Sequence, residues 1–98
     1  VVMDYNKEYT SEKYRDIAVA MGISNVEEMT LEEAREAAIN SVRQLSLDVG
    51  IPRSLTEVGF KEEDIDQIAA DAFADVCTGG NPRDTTVEEI IQLYRKLL

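Results

Sequence analysis

No histidine occurs among the 98 residues of this sequence. The side chain that most often serves as acid–base catalyst and transition-metal ligand is therefore missing. Cysteine occurs once, at Cys77. A lone cysteine cannot close an internal disulfide, so the fold is not covalently stapled, which fits a reducing compartment and gives a cytoplasmic expectation. Long apolar runs are absent too. Nothing approaches the ~18 consecutive apolar residues of a membrane-spanning helix. The chain also lacks a basic start leading into an apolar stretch, the pattern of a secretory leader. Positive charge is scarce: 10 Lys and Arg face 20 Asp and Glu, a net charge of −10. That field repels a phosphate backbone and an anionic bilayer, so nucleic-acid and membrane partners are disfavoured. The sequence does not begin with methionine, and Val1-Val2-Met3 reads as apolar residues continuing something upstream. The expectation is a piece of a longer product.

What remains is ordinary for a folded domain, with 44% hydrophobic and 31% charged residues. A chain of this length buries roughly two-thirds of its unfolded surface, enough for one modest core and a single domain. No internal repeat or low-complexity tract is visible. Gly22, Gly50-Ile51-Pro52, Gly59 and Gly79-Gly80-Asn81-Pro82 punctuate the chain.

Between these marks the apolar residues recur at helical spacing. Tyr14, Ile17, Ala18 and Met21 form one face of a helix over 11–21, stopped by Gly22. Leu31, Ala34, Ala38, Val42, Leu45 and Val49 form a stripe over 31–49. Thr30 and Glu33 make a capping box at its start, and Gly50 with Pro52 ends it. Ile65, Ile68, Ala69, Ala72, Phe73 and Val76 share a side over 62–77, with Glu62, Glu63 and Asp64 crowding the positive end. Val87, Ile90, Ile91, Tyr94 and Leu97 predict a helix over 86–98, capped by Thr85 with Glu88. Ser54 with Glu57 marks a short turn before Gly59, and Val1–Tyr5 is the end of a fifth helix. No stretch alternates with period two. The fold class expected is all-α, a bundle of four main helices with short connections.

Chemistry-bearing clusters are few. Glu27-Glu28, Glu32-Glu33, Glu62-Glu63 and Glu88-Glu89 are carboxylate pairs, but each stands at or near a helix start, where capping and the dipole account for it. Helical neighbours also point about 100° apart, a poor geometry for joint chelation. The stretch from Asp64 to Asp75 lacks the glycine an EF-hand requires. "LSLDVG" is not the Asp-Ser-Leu of an acyl carrier protein.

The segment "VCTGGNPRDTTVEE", 76–89, is the most unusual. Cys77 follows Phe73 by four residues and reads as a small buried hydrophobe continuing an apolar face. No histidine is present to activate it as a nucleophile. Gly79 is placed to close a helix in the left-handed conformation, and Pro82 prevents continuation. Gly80 is left over, and a glycine without a turn requirement points to close approach of a backbone or ligand. Arg83 can grip a carboxylate or phosphate, or equally pair with a local acid such as Asp84 or Glu88. On spacing alone the segment is a structural corner.

The order of these segments resembles the C-terminal end of the iron-containing (group III) alcohol dehydrogenases, on the branch of the lactaldehyde reductases and 1,3-propanediol dehydrogenases. "KYRDIAVAMG", "VGIPRSL" and "CTGGNPR" carry the resemblance, which covers essentially all 98 residues. It implies the C-terminal portion of a dehydroquinate synthase-like helical domain. In the family an N-terminal α/β domain binds NAD(P), and the helical domain carries Fe2+ or Zn2+ through one aspartate and three histidines. Those ligands precede the part of the family pattern that is present here. The resemblance therefore implies no catalytic, cofactor-binding or metal-ligating residue in this chain, whose cofactors belong to the full-length parent. It does imply that Cys77, Gly79 and Gly80 line the substrate side of the interdomain cleft, as a wall, for a small alcohol or aldehyde. Alone, the chain is expected to be inactive and to self-associate. The reading from a different class is a stand-alone acidic helical interaction module.

Overall fold

The computed structural model describes all residues, Val1–Leu98, and holds five α-helices and no strand, in agreement with the all-α expectation. The helices are α1 (Val2–Asn6), α2 (Lys13–Ala20), α3 (Leu31–Asp48), α4 (Ile65–Ala74) and α5 (Val87–Arg95). The chain divides into two compact units, one of Met3–Ile51 and one of Pro52–Leu98 with Val1–Val2. No helix is long and apolar enough to cross a membrane.

In the unit Met3–Ile51, α2 packs on α3. Its core consists of Tyr14, Ala18, Val26, Ala34, Ala38 and Ile39, with Met3, Ile17, Ile23, Met29 and Ala37 packed around it. Ala18, Ala34 and Ala38 have no exposed surface, and their small side chains let the two helices approach closely. Thr30 caps α3 as its sequence predicts. Its hydroxyl accepts the Glu33 N–H at 3.2 Å, and the Glu33 carboxylate accepts the Thr30 N–H at 3.1 Å.

Both helices end in the same way. The Gly22 N–H donates to the Val19 carbonyl and the Ile23 N–H to the Ala18 carbonyl. The Gly50 N–H donates to Leu47 and the Ile51 N–H to Ser46. These are Schellman closures, and each needs a left-handed residue, supplied by Gly22 at φ 84° and Gly50 at φ 78°.

Two arginines fasten the loops of this unit. Arg15 Nη1 donates to the carbonyls of Val26 and Met29 at 2.7 and 2.9 Å, while its Nε bonds Glu12 at 2.7 Å. Arg35 is buried, with Nη2 donating to the Ser11 carbonyl at 3.2 Å and Nη1 lying 3.4 Å from Glu8. Ser11 itself holds a left-handed φ of 48°. Neither Arg35 nor the buried Ile39 belongs to the stripe that periodicity assigns to this helix.

In the other unit α4 packs on α5 around Ile65, Ala69 and Ile90. The Phe60 and Tyr94 rings stack with centroids 5.8 Å apart. The Leu55 N–H donates to the Leu97 carbonyl at 2.8 Å, and the Thr56 hydroxyl to Leu98 O at 3.1 Å, joining the turn at 56–58 to the chain end. The α5 cap falls one residue later than the sequence reading places it. Thr86, not Thr85, accepts the Glu89 N–H, and Glu89, not Glu88, returns the bond. "TTVEE" contains both boxes in overlapping frames, so spacing alone does not select one.

Helix α4 is shorter than the predicted 62–77. A 3-10 turn occupies Glu62–Asp64, and the helix stops at Ala74, with Asp75 extended at ψ 135°. Side-chain bonds to the backbone explain the stop. Asp75 Oδ1 accepts the Cys77 N–H at 2.7 Å, and the Thr78 hydroxyl donates to the Ala72 carbonyl. Such local bonds compete with the helical ladder and terminate it.

Candidate functional site

The early stop of α4 changes the setting of Cys77. It lies beyond the helix and is exposed, so the reading of it as a buried hydrophobe on an apolar face is corrected. The predicted apolar side breaks down at its end: Ile65 and Ala69 are buried, but Phe73 is 48% and Val76 is 94% exposed.

The next three residues, Thr78–Gly80, form a 3-10 turn. The expectation that Gly79 takes a left-handed conformation is also corrected, since the only glycines with positive φ are Gly22, Gly50 and Gly59. The Asp75 and Thr78 bonds have already closed α4, which leaves no cap for Gly79 to make. An added Cβ at Gly79 or Gly80 meets nothing within 4 Å. Neither backbone conformation nor crowding within the chain requires glycine at these two positions.

The rest of the segment is held locally. Asn81 Nδ2 donates to the Arg83 carbonyl at 2.6 Å. Arg83 Nη2 reaches Oε1 of Glu89, the α5 capping glutamate, at 3.3 Å. Arg83 thereby links the segment to the first turn of α5. The structure thus brings Cys77, Gly79 and Gly80 together on one exposed stretch between α4 and α5, with its neighbours fixing the backbone.

Metal chemistry finds no donor set here. No group of three or more His, Cys, Asp or Glu side chains is placed to hold a metal ion. The paired glutamates sit in the first turns of α3, α5 and two 3-10 turns, where Glu33 and Glu89 complete capping boxes. These residues do not fit an iron or zinc centre of one aspartate and three histidines.

A pronounced electrostatic perturbation lies elsewhere. Lys7 Nζ stands 2.6 Å from Glu36, 3.4 Å from Asp4 and 3.5 Å from Glu32. The hydrogen bond to Glu36 foremost, with Asp4 adding to it, raises the Lys7 pKa against the lowering effect of burial. This cluster ties the α1 region to α3.

The model of the Fe-containing alcohol dehydrogenase family, C-terminal, matches residues 1–98. Lactaldehyde reductase of Escherichia coli (strain K12) is 57% identical over 93 residues, which cover 95% of this chain and 24% of that protein. NAD-dependent methanol dehydrogenase of Bacillus methanolicus is 38% identical over 97 residues, covering 99% of this chain and 25% of the relative. A crystal structure of 1,3-propanediol oxidoreductase superposes with a TM-score of 0.93 at 36% identity, covering 99% of this chain and 25% of the other. The chain spans about a quarter of the length of these relatives. A match along every residue, an all-helical fold in common and these identities establish that the chain belongs to the C-terminal region of the iron-containing alcohol dehydrogenase family.

Proposed function

We propose that this chain is the C-terminal helical part of a metal-dependent, NAD(P)-linked alcohol dehydrogenase that interconverts an alcohol or diol with an aldehyde. Its own share of the work is structural. It completes the helical region and offers Cys77, Gly79 and Gly80 as one wall of the substrate cleft. Nicotinamide supplies the hydride acceptor or donor in such enzymes, and a divalent metal polarises the reacting oxygen. Both would be held by polypeptide outside these 98 residues, and no chemical step is assigned to a side chain present here.

The observation that carries the reading is the family match over 1–98 together with 57% identity to a lactaldehyde reductase. The wall assignment draws support from the glycines. A residue type that loses the most freedom on folding occurs twice in succession where the chain itself makes no demand for it. A close neighbour outside the chain is the demand that remains, and a substrate cleft provides one.

The test has two arms. The purified 98-residue chain is expected to show no alcohol-dependent NAD(P) reduction and no stoichiometric iron; activity or bound iron would overturn the division of labour. In the full-length polypeptide, Gly79→Ala and Gly80→Ala are expected to raise KM or lower kcat at least several-fold. The same changes in the isolated chain should leave stability unchanged or increase it by about 0.4–1 kcal/mol, because both sites accept a Cβ without strain. Unaltered kinetics in both full-length variants would remove the wall assignment while leaving the family membership intact.

A further inference from the structure

We draw no further inference here: the strongest candidate, the exposed apolar turn of Phe73, Val76 and Cys77 at the end of α4, adjoins the wall already proposed, and nothing in the structure shows what covers it.

Discussion

Tyr14 shows how one residue can carry several structural duties. It is 7% exposed, it packs in the core beside Ala18, and its hydroxyl donates to the Met3 carbonyl at 3.0 Å. Burial first, and the charge of Asp4 second, raise its pKa above the ordinary tyrosine value of about 10. Lys7 is shifted in the same direction. Both groups therefore contribute stability that is complete below their unfolded-state pKa values and is lost as pH climbs through the folded ones. We expect the unit Met3–Ile51 to weaken above about pH 10. In a tyrosinate absorbance titration of the four tyrosines, Tyr14→Phe should delete a component that titrates above the ordinary tyrosine value; retention of that component would contradict the assignment. The apolar role of Tyr14 is legible from its spacing to Ile17, Ala18 and Met21. Burial of Arg35 is not, because a charged residue is counted as surface unless its partners are known. Its partners, Ser11 and Glu8, stand 24 and 27 positions away in the chain.

At the level of elements, the sequence locates every main helix and the start of α3 with its glycine stop, but misjudges both ends of α4 and the cap of α5. Periodicity reports which face is apolar and is silent about where a side chain will bond its own backbone. The apolar spacing of α4 continues through Val76 and Cys77, yet Asp75 and Thr78 stop the helix before them. Conversely, Thr30 and Glu33 are recognisable because only one capping frame exists there. The α5 start allows a clean discrimination. Thr86→Ala should cost about 1 kcal/mol of stability and shorten α5, whereas Thr85→Ala should change stability by a few tenths at most. Urea unfolding followed by circular dichroism reads both, and equal costs would show that both frames are populated. The candidate site is legible only in part. Resemblance singles out Cys77, Gly79 and Gly80, while the missing need for glycine within the chain becomes visible only from backbone angles and the space around each residue.

At the scale of the whole chain, several large apolar side chains stand exposed to solvent. Val49 is 65%, Val58 63%, Ile51 56% and Val76 94% exposed. Apolar side chains of this size favour association where they gather into contiguous patches. The family relatives are about four times as long as the matched part. Isolated, the 98 residues are expected to associate with one another, and sedimentation should show a mass that rises with concentration. A clean monomer at high concentration would argue that these side chains are tolerated in water. The ties between the segment around Leu55 and the last two residues carry a practical corollary. Leu97 and Leu98 act as the clasp of a strap, so trimming those two residues should open it. Amide exchange at Leu55 would then accelerate sharply, and an unchanged rate would show that the clasp carries no load.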